Sequence, residues 1–145
     1  MADTNNSAPS FRFPKAQKLW GETSVDMLFA RGEGFTRFPL RVVYLVRDES
    51  RPGEAPLRMM VSVGKKRFKR AVKRNRVKRL VREAWRLRKG AVERALAASR
   101  AKGLYVGFVF VGKELPSMIA VSASMAKAVD KLVDSLSPAS MPPVE

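Results

Sequence analysis

The chain has 145 residues, enough for one domain around a single modest core, and its 46% hydrophobic content can supply that core. Its 29 Lys and Arg oppose 13 Asp and Glu, and the resulting formal charge of +16 repels itself in the compact state and favours a polyanionic partner, with nucleic acid first. Neither Cys nor His occurs, which excludes disulfides, zinc sites, thiol or Ser/His nucleophiles and imidazole acid–base chemistry.

Residues 1–10 (MADTNNSAPS) are small and polar, and 137–145 (SPASMPPVE) are rich in Pro and Ser. Both stretches read as disordered tails around one domain spanning 11–136. No run of about 18 apolar residues occurs. Met1–Ser10 also lacks the basic and apolar segments of a signal peptide, so the expectation is a cytoplasmic protein with no membrane partner.

Leu19, Trp20, Val25, Leu28 and Phe29 form a loose helical stripe within 16–30, closed by Gly32 and Gly34. The run FPLRVVYLV (38–46) is dense in β-branched and aromatic residues, and LRMMVSV (57–63) resembles it. With the turn-rich RDESRPGEAP between them, the two predict a hairpin. Over 72–88, Val77, Leu80, Val81, Ala84 and Leu87 follow the spacing of an amphipathic helix, with a softer, Ala-rich continuation. LYVGFVFVG (104–112) predicts a buried strand. A last helix over 122–136 places Met125, Ala128, Val129, Leu132 and Val133 on one face. The order helix, strand, strand, helix, strand, helix is that of an α+β two-layer sandwich.

Thirteen of the sixteen net positive charges fall between Lys65 and Lys89, where 14 basic residues accompany one acid, Glu83. At about 100° per residue, Asn75, Arg79, Arg82 and Arg86 lie within roughly 60° of one another, opposite the apolar stripe. Guanidinium groups bind phosphate oxygens bidentately, so an Arg-rich face suits structured phosphate recognition. The competing reading, a solvated face held by i, i+4 ion pairs, lacks nearly all its acidic partners.

Phe29, Phe38, Tyr44, Tyr105, Phe108 and Phe110 read first as core. On an exposed sheet face, some of them could instead stack unpaired bases. The close carboxylate pairs are Asp48–Glu49, Glu22/Asp26 and Asp130/Asp134. They read as solvated surface, although hard cations could in principle use such oxygens.

Residues 73–86, KRNRVKRLVREAWR, closely resemble the RNR motif of bacterial ribonuclease P protein subunits. Val61–Lys66 (VSVGKK) resembles the strand leading into that motif, and Phe13-Pro14-Lys15 with Lys18-Leu19 resembles the family's opening helix. The resemblance implies a two-layer sandwich, like one domain of a small ribosomal protein, in which the RNR helix crosses between parallel strands of a small mixed sheet. It also implies a protein without catalytic residues, paired 1:1 with ribonuclease P RNA. That RNA removes the 5′ leader of precursor tRNA using Mg2+, held mainly by RNA and at no site of the protein alone.

By the same resemblance, Lys65, Lys66, Arg74, Asn75, Arg76, Lys78, Arg79 and Arg82 contact RNA. Val25, Phe29 and Tyr44 line a leader cleft between the first helix and the sheet, Val25 standing where the family has an aromatic. Gly112-Lys113 falls where the family often ends its strand with Arg. A structural RNA-binding protein, such as a small ribosomal protein, would share the charge, the tails and the basic helix. A DNA-binding regulator fits less well, because strands precede Lys65 where a helix-turn-helix needs its first helix.

Overall fold

The computed structural model describes residues 14–49 and 54–137; most of the two expected tails, 1–10 and 138–145, lies outside the described residues. A 3-10 turn (Lys15–Gln17) precedes helix α1 (Glu22–Arg31). Strands β1 (Glu33–Arg37), β2 (Leu40–Arg47) and β3 (Leu57–Val63) follow. Then come helix α2 (Ala71–Ala98), strand β4 (Gly103–Phe110) and helix α3 (Met118–Ser135).

The four strands form one mixed sheet in the order β1-β2-β4-β3. The two apolar runs expected to pair as a hairpin are therefore not neighbours. β4 lies between them, antiparallel to β2 and parallel to β3. The reason is burial: β4 is apolar on both faces and takes a central position, so the short link between β2 and β3 does not decide their pairing. The hairpin that does form joins β2 to β1 through Phe38-Pro39, with Arg37 opposite Leu40. β1 (EGFTR) is a short, polar edge strand, and its charges and glycine resemble a loop in sequence.

Alternation along the strands divides the apolar side chains between two faces. Leu40, Val42, Tyr44 and Val46 of β2, with Leu104, Val106, Phe108 and Phe110 of β4, face α2 and α3 in the main core. Val43, Leu45 and Tyr105 face the other way and meet Leu28 of α1 and Leu19 in a smaller cluster. Helices α2 and α3 thus make one layer on the sheet, and α1 covers part of its other face.

The first expected helix is shorter than predicted. Leu19 leaves the helical stripe because its N–H donates to the Met59 carbonyl at 2.8 Å, and Lys18 bridges Met59 in parallel. These residues extend the edge of β3, and the helix starts only after Gly21. Helix α2 is longer than the predicted 72–88, continuing to Ala98 on the buried residues Val92 and Leu96. Lys89 obscures that continuity in sequence, since it occupies a core-facing position. It is 1% exposed and its ammonium reaches Glu93 at 3.2 Å. Glu93 in turn accepts from Gln17 Nε2 at 2.7 Å, tying the 3-10 turn to α2. Helix α3 begins at Met118, earlier than expected, where the Ser117 hydroxyl accepts from the Ala120 N–H.

Candidate nucleic-acid interface

Helix α2 carries the interface, and its apolar side positions it. Val77, Val81, Ala84 and Trp85 are buried, with the Trp85 ring 5.4 Å from that of Phe108 on β4. Each fully buried aromatic of this kind contributes about 2–3 kcal/mol by area alone. The helix therefore cannot roll without exposing them, and its outer face is set relative to the sheet.

On that outer face Asn75, Lys78, Arg79, Arg82, Glu83 and Arg86 line one shallow depression of about 330 Å³. The grouping expected from the helical wheel is present, and the structure adds Lys78 and Glu83. Asn75, Arg79 and Arg82 are exposed. Arg86 is paired: its Nη2 lies 2.6 Å from Glu83 Oε2 and its Nε donates to Oε1 at 3.2 Å. This hydrogen bond holds the Glu83 carboxyl below its ordinary pKa and raises that of Arg86. Arg79 and Arg82 are thus the guanidinium forks most accessible to an incoming phosphate.

Arg74 behaves differently. It is half-buried, and its Nη1 turns back to donate to the carbonyls of Phe68 and Lys69 at 2.7 and 2.8 Å. At this position, expected to contact RNA, the guanidinium also braces the loop that enters α2. Lys65 and Lys66 stand exposed in that loop, which turns where Arg67 N–H bonds the Gly64 carbonyl. Arg76 is exposed but does not line the depression.

A second basic depression, which the sequence reading did not assemble, lies at the start of α2. Arg67, Lys69, Arg70 and Lys73 meet Lys113 there, beside Phe68, Glu114 and Leu115. Phe68 anchors it by stacking on Phe110 with ring centroids 5.9 Å apart. The charge count marked four of these residues, but only the fold brings Lys113 to them.

The three expected leader contacts are not brought together. Val25 and Phe29 are on α1, and Phe29 is 43% exposed. A Cβ added at Gly107 of β4 would lie 3.5 Å from Phe29 Cζ and 3.6 Å from Met60 Cγ, so a glycine there lets the ring rest close to the sheet. Tyr44 is on the opposite face, buried against α3, with its hydroxyl 3.2 Å from Ser135 Oγ. Side chains alternate along a strand, so a one-residue difference in register reverses the face. On β2 the residues toward α1 are Val43 and Leu45, and the assignment of Tyr44 to this cleft is corrected accordingly.

A groove of about 700 Å³ runs beside β3, lined by Lys15, Lys18, Leu19, Trp20, Met59, Met60, Val61 and Arg82. Arg82 lines both this groove and the depression on α2, so the two are neighbours on the surface. Trp20, expected on a buried helical stripe, is 67% exposed at its rim.

Residues 13–132 match the family described as Ribonuclease P. The chain is 40% identical over 126 residues to the ribonuclease P protein component of Porphyromonas gingivalis, covering 87% of this chain and 90% of that protein. It is 42% identical over 94 residues to the same component of Chlorobaculum tepidum, covering 62% of this chain and 59% of that protein. Among solved structures, the fold is similar to the RNase P protein of Staphylococcus aureus, with a TM-score of 0.64 at 18% identity over 85% of this chain and all of that one. It is also similar to that of Thermotoga maritima, with a TM-score of 0.50 at 20% identity over 82% of this chain and 94% of that one. At such identities the solved structures speak for the fold, and the sequence relatives carry the family.

Proposed function

This chain belongs to the ribonuclease P protein family and is the protein component of that tRNA-processing enzyme, and on that premise we propose how its surfaces serve the reaction. The outer face of α2, with Asn75, Lys78, Arg79 and Arg82, binds phosphates of the catalytic RNA or of the substrate near the cleavage site. Lys65 and Lys66 extend that contact into the preceding loop. The single-stranded 5′ leader lies on the α1 side of the sheet, against Phe29 and the apolar surface of Val25. One protein pairs with one RNA, in the cytoplasm.

The observation that carries this reading is the division of α2. One side is locked into the core by Trp85 and its neighbours, and the other presents Arg79 and Arg82 to solvent. Phosphate recognition by forked guanidinium groups gains from such a rigid support.

Among the described residues no three Asp, Glu, His or Cys come together as a metal site. The carboxylate in the α2 depression, Glu83, is engaged by Arg86. Among the described residues no carboxylate set fits a protein-held magnesium site, and we assign the ion to RNA phosphates. The protein's part is to bind, orient and neutralise charge.

Reconstitution tests this. The protein alone is expected not to cut precursor tRNA, and with ribonuclease P RNA it should lower the magnesium concentration needed for cleavage. An RNA whose magnesium requirement is unchanged by the protein would refute the reading. For about six phosphate contacts, binding should weaken with salt along a log–log slope of roughly −4 to −5.

A further inference from the structure

The groove beside β3 holds an arrangement that the helix face does not explain. It is lined by Met59, Met60 and Val61 of β3, by Lys15 and Lys18 and by Arg82 of α2, and among the described residues no acid lines it. At its rim stands Trp20, an indole 67% exposed. A single exposed apolar side chain is ordinary on a protein surface. This one differs in how firmly its backbone is held.

The Leu19 side chain next to it is buried, and the Leu19 N–H donates to the Met59 carbonyl at 2.8 Å. The Lys18 carbonyl accepts from Arg58 Nη2 at 2.8 Å. Gln17 is tied to Glu93 of α2 at 2.7 Å. On the other side, Gly21 takes a φ of +97°, a left-handed conformation that glycine adopts without strain, and turns the chain sharply into α1. Pinning on one side and a turn on the other hold the indole at the groove while leaving its ring uncovered. A flat aromatic face on a rigid backbone, with cations lining the same groove to meet phosphates, is what an unpaired nucleotide needs: base on ring, backbone on cations.

We propose that Trp20 is a base-stacking residue, and that it holds one unpaired nucleotide of the precursor leader while Lys15, Lys18 and Arg82 meet the adjacent phosphates. The proposal rests on the leader reading and deepens it, extending the leader's path beyond Phe29. Met60 connects the two places, since it lines this groove and also lies beside Phe29 at Gly107. Arg82 then stands where the leader track joins the α2 face.

The test uses the reconstituted holoenzyme and precursor tRNAs with leaders of graded length. Trp20→Ala is expected to weaken binding of the leader-bearing precursor on the order of ten-fold, and that of mature tRNA less than about two-fold. Trp20→Phe should retain most of the affinity. Abasic nucleotides placed one at a time along the leader should identify one position whose loss costs the wild type as much as Trp20→Ala does and costs the variant nothing further. The chain has two tryptophans, and Trp85 is buried, so quenching of fluorescence by the leader should disappear in Trp20→Phe.

Equal weakening of precursor and mature tRNA by Trp20→Ala would overturn the proposal. So would abasic losses that are the same in wild type and variant. If shortening the leader weakens both proteins alike, the leader reading stands and the role of Trp20 falls. If shortening it leaves the wild type unaffected, both fall together.

Discussion

Arg74 and Phe68 are joined by a hydrogen bond of 2.7 Å from the guanidinium Nη1 to the main-chain carbonyl, and the same nitrogen also reaches Lys69. One residue of the RNR motif thus braces the loop that carries Lys65, Lys66 and Arg67. For Arg74→Ala the structure predicts a loss of about 1–2 kcal/mol, the scale of a partly exposed charged hydrogen bond, and a melting temperature lower by roughly 3–8 °C. Thermal unfolding of the free protein measures it. An unchanged melting temperature with weakened RNA binding would mean that the guanidinium serves RNA alone.

Arg79 and Arg82 make the contrasting case. Both are exposed, and replacing either with Ala should change stability by no more than about 0.5 kcal/mol. Each replacement should weaken RNA binding and make the salt dependence shallower by about one unit of log–log slope. Titrations at several salt concentrations check this, and a parallel shift with unchanged slope would argue against phosphate contact.

Glu83 holds Arg86 and subtracts one charge from the basic face. Glu83→Gln is expected to strengthen RNA binding at low salt and to steepen the slope, because the basic face loses a negative charge. The carboxyl's folded pKa is depressed, mainly by the hydrogen bond from Arg86. Its stabilising contribution is therefore fully present above the unfolded value of about 4.3 and lost as pH falls through the folded value. Because the pair is largely open to solvent, that contribution is small. Between pH 6 and 8 the wild type should show no titration from this pair, and weaker RNA binding by Glu83→Gln would contradict the prediction.

Phe29 and Tyr44 separate leader contact from packing. Phe29→Ala should weaken binding of leader-bearing precursor while sparing mature tRNA. Tyr44→Phe removes only the hydroxyl that meets Ser135, and should cost about 0.5–1.5 kcal/mol of stability with the precursor-to-mature preference intact. Melting curves and paired binding assays on the two variants distinguish them. Loss of leader preference in Tyr44→Phe would return that residue to the cleft.

Several features were legible in the sequence because they depend on residues close together in the chain. The stripe at Val77, Val81 and Ala84 predicts both the helix and the side on which it is buried, and the opposite charges follow at the same period. The run LYVGFVF marks a buried strand because it is apolar at every position but its glycine. Other features misled for physical reasons. Lys89, a charge on the core side, made the last third of α2 read only as a softer continuation; Glu93 lies one turn further along the helix, but Gln17, which completes these surroundings, comes from a distant part of the chain. Trp20 and Leu19 fitted a helical period that pairing with β3 overrode.

By itself, then, the sequence determined the absence of thiol and imidazole chemistry, the concentration of charge on one helix, the α+β order and the resemblance to the family. Each of these is a property of composition or of spacing within about twenty residues. Only the tertiary structure decided that β4 separates β2 from β3, that Tyr44 turns to α3 while Phe29 rests on the other face, that Arg74 braces a loop, and that Trp20 shares a groove with Arg82. Strand order and register arise from burying the most apolar strand at the centre of the sheet, a competition among distant segments. Which side chains share a surface is settled by that competition, so the site could be named from the chain but assembled only in the fold.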